Sequence, residues 1–253
     1  MGVRLEAGRE PPTQAARGWR VVGASAEGTS HFATGAGCQD AHRFEAAAGR
    51  LVIAVADGAG SATRAREGAC HAVDAAIDCL LEGGSASGAM VAARARLEAV
   101  AAGEAACCPG ALSDLATTLT VAVVDEAEVA VAQIGDGAVV LRCPSGLSLA
   151  VVPERSEYLN ETRFVTSPTW VTDQRTFAGP AAGFDGVAVA TDGLQLLAFD
   201  MATDTPHAPF FDPLFAFAAS DTATPGELAA FLASPRVNAR TDDDKTLVVA
   251  VRG

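Results

Sequence analysis

Basic side chains are scarce in this sequence. It has 18 Lys and Arg against 31 Asp and Glu, a formal charge of −13. A polyphosphate backbone needs a basic face, so nucleic acid is not expected as a partner. No Cys-x-x-Cys pair occurs, and His31, His42, His71 and His207 lack zinc-ligand spacing. Long apolar runs are missing too. None approaches the roughly 18 residues of a membrane span, and Met1 to Arg20 has no apolar stretch of the secretory kind. No membrane association and a reducing, cytoplasmic setting are the resulting expectations. Cys38, Cys70, Cys79, Cys107, Cys108 and Cys143, mostly in Ala/Val/Leu surroundings, read as small buried hydrophobes.

What is present can build a core. Apolar residues are 49% of the 253 and charged residues 19%, which excludes wholesale disorder. Residues 1–17 are polar, include Pro11-Pro12 and are expected to form a loose arm. No repeat or linker divides the remainder, so 18–253 reads as one domain. Trp19, Val21 and Val22 mark a first strand, and LVIAVA at Leu51 to Ala56 a second. Further strands are expected at Leu119 to Val124, Val129 to Ile134, Ala138 to Leu141, Leu147 to Val152, Val187 to Ala190 and Thr246 to Val251. Helical periodicity runs from about Thr63 to Glu82 and Ser87 to Ala106, and a third helix opens at Thr224-Pro225. Phe210 to Phe217 is a further candidate helix. This order is not regular β-α-β alternation. It suits sheets packed on each other and covered by helices. Pro153 to Ala182 shows little periodicity and reads as a long loop of the kind that often forms a flap.

The aspartates fall at strand ends. Asp57 follows LVIAVA, Asp136 follows VAVAQI-Gly135, and Asp192 follows VAVA-Thr191. Asp243 lies just before the last strand, and Asp40 just upstream of the first long apolar run. Carboxylates delivered to partly dry strand tips are costly unpaired and repel one another. A hard cation such as Mg²⁺ or Mn²⁺ resolves both problems. Each has a plainer reading. Asp136-Gly137, taken alone between two apolar runs, predicts a hairpin turn, Asp185-Gly186 a turn only, and Asp242-Asp243-Asp244 a solvated charge run.

Together, Gly37-Cys38-Gln39-Asp40-Ala41, Ala56-Asp57-Gly58-Ala59-Gly60-Ser61, Gly135-Asp136-Gly137, Ala190-Thr191-Asp192-Gly193-Leu194 and Asp243-Asp244-Lys245-Thr246 resemble the metal-dependent serine/threonine protein phosphatases of the 2C type. The bacterial branch is most similar, because Glu157-Tyr158-Leu159-Asn160-Glu161-Thr162 also matches it. The resemblance covers Gly18 to Val251. It implies an α+β fold, a four-layer α/β/β/α sandwich of two antiparallel sheets flanked by helices. It implies that Asp57 bridges two metal ions, that Gly58 offers its carbonyl to one, and that Asp192 and Asp243 complete the other's ligands. Asp136, with Asp192, would form a third, weaker metal position. Two departures stand out. The family's usual Glu is Gln39 here, and its phosphate-gripping Arg, four residues earlier, is Gly35. His31 is a candidate substitute, and His31, Gln39 and Asp40 are the candidate substrate-binding residues.

The implied chemistry is phosphomonoester hydrolysis by water activated between two cations. Asp57, Asp192 and Asp243 are the catalytic candidates, and Mn²⁺ or Mg²⁺ the cofactor. No protein nucleophile is expected, since the chain has no Gly-x-Ser-x-Gly elbow and no Cys-x5-Arg loop, and Asp57-Gly58-Ala59 lacks the Asp-x-Asp-x-Thr that aspartate-nucleophile phosphotransferases need near the first strand. The expected substrate is a phosphoserine or phosphothreonine protein, with an opposing Ser/Thr kinase as a functional counterpart. A phosphatase-like sensor or scaffold is the competing class, and a phosphatase of a small metabolite the third reading.

Overall fold

A computed structural model describes residues 18–47, 49–104, 111–151, 162–200, 203 and 205–253. The expected N-terminal arm (1–17), Cys107, Cys108 and residues 157–161 of the Glu-Tyr-x-Asn-Glu-Thr segment lie outside them.

The chain runs β1 (Trp19–Ala26), α1 (Thr29–Thr34), β2 (Ala41–Ala47) and β3 (Arg50–Ala56). The long helices α2 (Ala65–Leu81) and α3 (Ala86–Glu104) follow. Next come β4 (Leu119–Val124), β5 (Glu128–Ile134), β6 (Ala138–Cys143) and β7 (Gly146–Leu149). Then α4 (Trp170–Asp173), β8 (Arg175–Pro180), β9 (Gly186–Ala190) and α5 (Gln195–Ala198) lead to the short pair β10 (Phe199–Asp200) and β11 (Thr205–Pro206). The chain closes with α6 (Ala208–Ala219), α7 (Pro225–Leu232), α8 (Pro235–Asn238) and β12 (Lys245–Arg252).

Two five-stranded sheets carry the fold, ordered β1-β12-β9-β6-β7 and β2-β3-β4-β5-β8, and every pairing in them is antiparallel. The period-2 alternation of strands explains the layering. In β3, Leu51, Ile53 and Val55 join the core between the sheets, whereas Val52, Ala54 and Ala56 face the helices. The helix side is Ala69, Val73, Ile77 and Leu80 of α2 with Met90 and Leu97 of α3. In β12, Val248 and Ala250 point between the sheets, and Leu247, Val249 and Val251 meet Phe211, Phe215 and Leu228 of α6 and α7. A strand buried on both faces must read as an unbroken apolar run, which is why LVIAVA and TLVVAV carry no polar alternation. Each such Val, Leu or Ile contributes about 1.5–3 kcal/mol by leaving water. The result is the expected α/β/β/α sandwich. At the start of α7, the Glu227 amide donates to Thr224 Oγ1 at 3.2 Å while that hydroxyl donates to Glu227 Oε2 at 2.9 Å, a reciprocal cap.

Three expectations are corrected. Asp136-Gly137 is not a hairpin: β5 pairs with β4 and β8, while β6 pairs with β7 and β9, so the turn carries the chain from one sheet to the other. The stretch from Pro153 to Ala182 is not one loop, because it contains α4 and the edge strand β8. The described cysteines are not buried: Cys70 is exposed on the outer face of α2, and Cys38, Cys79 and Cys143 are half-buried, all as free thiols. Among the described residues no helix is long and apolar enough to cross a membrane.

Candidate metal centre

The antiparallel registers bring the aspartates together. Ala41 pairs with Ala56, so Asp40 enters β2 beside the point where Asp57 leaves β3. Leu247 and Ala138 both pair with Ala190, so the start of β12, the start of β6 and the end of β9 share one rim. That rim receives Asp192 from β9, Asp136 from the β5–β6 crossing, and Asp243 two residues before β12.

Hydrogen bonds and close packing fix the segments that carry these carboxylates. The Asp57 amide donates to Thr118 Oγ1 at 2.9 Å, and its carbonyl accepts from the Thr118 amide at 2.8 Å and Thr117 Oγ1 at 2.9 Å. Gly58 is fixed by close approach, since a Cβ there would lie 2.6 Å from the Ala65 carbonyl and 2.9 Å from that of Gln39. Gly193 is tighter still, with a Cβ 1.9 Å from the Asp244 carbonyl oxygen. Asp40 is buried, and its Oδ2 accepts from Thr191 Oγ1 at 2.9 Å. Thr191 in turn accepts from the Thr246 amide at 2.9 Å. Asp136 accepts from Thr162 Oγ1 at 3.1 Å, and Gln195 Nε2 donates to its carbonyl at 2.8 Å.

Asp244 is the residue that sequence reasoning missed. It is 1% exposed and accepts from the Gly28 amide at 2.6 Å, the Gln39 amide at 2.6 Å and His31 Nδ1 at 2.8 Å. Within Asp242-Asp243-Asp244, only the middle position matched a motif role, and nothing local marks the third as buried. His31, the candidate phosphate contact, therefore spends Nδ1 on Asp244. Gly35, at the position of the missing Arg, ends α1 in the left-handed region with φ 71°.

The electrostatics are those of crowded, partly dry carboxylates. Burial, then the charges of Asp40, Asp192 and Asp243, push the Asp57 carboxyl far above the ordinary carboxylate range. Burial raises Asp40, Asp192 and Asp136 as well. Asp40 Oδ1 and Gln39 Oε1 are buried without a hydrogen-bond partner. Among the described residues, no three acidic, His or Cys side chains already form a closed cage for an ion. Opposed carboxylates, orphaned oxygens and a tightly packed Gly58 are nevertheless a donor set that fits hard divalent cations, whose charge offsets the repulsion.

Comparison with known proteins bears on the family and the fold. The family profile described as Protein phosphatase 2C matches residues 27–233. Serine/threonine-protein phosphatase 3 of Escherichia coli (strain K12) is 38% identical over 253 residues, covering 92% of this chain and 98% of that protein. Among solved structures, a bacterial serine phosphatase superposes with a TM-score of 0.65 at 13% identity, covering 92% of this chain and 97% of its own. The catalytic domain of the serine threonine protein phosphatase PstP, solved in complex with 2 manganese ions, gives 0.61 at 19% identity over 93% of this chain and 98% of its own. At such identities the structures speak to fold alone. With the profile spanning most of the chain, the chain belongs to the protein phosphatase 2C family.

Proposed function

We propose that this chain is a divalent-metal-dependent phosphatase that hydrolyses phosphoserine and phosphothreonine in proteins. The observation that carries the reading is the meeting of Asp57, Asp192 and Asp243 at one sandwich rim, with Asp40 buried at its flank. The named relative, a serine/threonine-protein phosphatase at 38% identity, supports the same activity.

Mn²⁺ or Mg²⁺ is the cofactor on this reading. Asp57 and the Gly58 carbonyl, with Asp192 and Asp243, hold two ions, and Asp136 with Asp192 offers a third, weaker position. When bound, such a pair supplies a water acidified toward neutrality and offsets charge on the phosphoryl oxygens. The protein contributes position. Thr117 and Thr118 hold the Asp57 backbone, Thr191 orients Asp40, and Asp244 fixes the segment carrying Gln39. Gln39 and Asp40 line the approach to the substrate phosphate, and His31 stands beside them. A cytoplasmic setting and an opposing Ser/Thr kinase complete the proposal.

A scaffold without turnover is favoured by Gln39 and Gly35, and retention of the four aspartates outweighs both. The test is phosphate release from a phosphothreonine peptide. The reading expects release with Mn²⁺ and none in excess chelator, and equal rates in both would overturn it.

A further inference from the structure

Beside the metal pair, a protein cation can help hold a phosphomonoester dianion at an acidic rim, most effectively through charge-assisted hydrogen bonds. Most cations near this rim are committed. Arg64 donates to Glu67 at 2.9 and 2.6 Å. Lys245 donates to Asn238 Oδ1 at 2.8 Å, and Arg175 to the Gly135 carbonyl. His31 is bound to Asp244, and Arg43 donates to Asp78 at 2.9 Å. Arg66 differs: it is exposed and makes no hydrogen bond or ion pair among the described residues.

Its place is specific. Arg66 follows Ala65, whose carbonyl packs against Gly58. Its Nη1 lies 3.7 Å from where a Cβ on Gly37 would stand, against the segment that delivers Gln39 and Asp40. With Gln39, Thr63 and Glu67 it lines an open groove of about 490 Å³. Gly35 is meanwhile used to end α1 and has no side chain to offer.

We propose that Arg66 grips the phosphoryl group of the substrate, supplying from the first turn of α2 the cation that the α1 segment lacks. The assignment rests on the phosphatase reading of the rim.

The test compares the Mn²⁺-loaded wild type with Arg66→Ala and Arg66→Lys. Steady-state kinetics are measured on an aryl phosphate and a phosphothreonine peptide, with inorganic phosphate as inhibitor, and phosphate binding is measured by calorimetry. Arg66→Ala should raise KM for both substrates and weaken phosphate binding by roughly tenfold, the size expected for one charge-assisted contact. The kcat should change little. Arg66→Lys should recover only part, because an ammonium lacks the planar fork. The melting temperature and Mn²⁺ affinity should match wild type, since Arg66 is exposed and bonds nothing among the described residues. Unchanged phosphate binding in Arg66→Ala would overturn the proposal. So would a loss confined to the peptide, which would make Arg66 a contact for the polypeptide instead. A wild type without turnover would defeat the phosphatase reading separately, and calorimetry with inorganic phosphate would still decide whether Arg66 holds the anion. A wild type that binds no phosphate would overturn the assignment.

Discussion

The Asp244 carboxylate accepts the backbone amide of Gln39 at 2.6 Å, joining residues 205 positions apart. With the Gly28 amide and His31 on the same carboxylate, this fastens α1 and the approach to Asp40 onto the start of β12.

Asp244→Ala should therefore act on stability before chemistry. It strands the buried Gly28 amide and the partly buried Gln39 amide, at a cost of about 3 kcal/mol. Thermal unfolding should show a clear fall in Tm, and a variant as stable as wild type would mean that water replaces the carboxylate.

The sandwich was legible because burial on both faces writes itself into sequence as unbroken apolar runs. LVIAVA, LTVAVV and TLVVAV all became central strands. The edge strand β8 was not legible. Its residues alternate only between half-buried and exposed, and Gly179 and Pro180 at its end mimic a loop. The role of Asp136-Gly137 was hidden for another reason. Two adjacent apolar runs look alike whether they pair with each other or part into different sheets, and only the long-range partners of β5 and β6 decide. Asp244 follows the same rule, since its burial is set by residues some two hundred positions away. The acidic strand ends, by contrast, could be read because a charge at the tip of a buried strand is conspicuous against its own neighbours.

His42 gives a pH signature. Its ring is half-buried, its Nδ1 pairs with Ser25 Oγ at 2.9 Å, and desolvation lowers its pKa to about 4. Below the unfolded value near 6.5 the unfolded chain binds the extra proton, so this contribution to stability is lost as pH falls from about 6.5 to about 4. His42→Gln removes the titration. The stability gap between wild type and variant should therefore narrow or reverse across that window, with the site aspartates common to both proteins. A pH-independent gap in denaturant titrations would contradict it.

Asp136 lies outside the Asp57-centred set, held by Thr162 and Gln195. If it serves a third cation that acts mainly in the transition state, Asp136→Ala should lower kcat by roughly tenfold with KM nearly unchanged. Steady-state kinetics across a Mn²⁺ titration would decide. Wild-type kcat at every metal concentration would leave Asp136 a crossing turn and nothing more.

The central claim is that the rim around Asp57 binds divalent cations. Asp57→Asn keeps the shape of the side chain and removes the charge that its neighbours most strongly oppose. Calorimetric titration of Mn²⁺ into wild type and Asp57→Asn tests this most directly. Tight binding to wild type and a sharp loss of affinity in the variant are predicted, together with near-complete loss of phosphate release. The same Mn²⁺ stoichiometry and affinity in both proteins would contradict it.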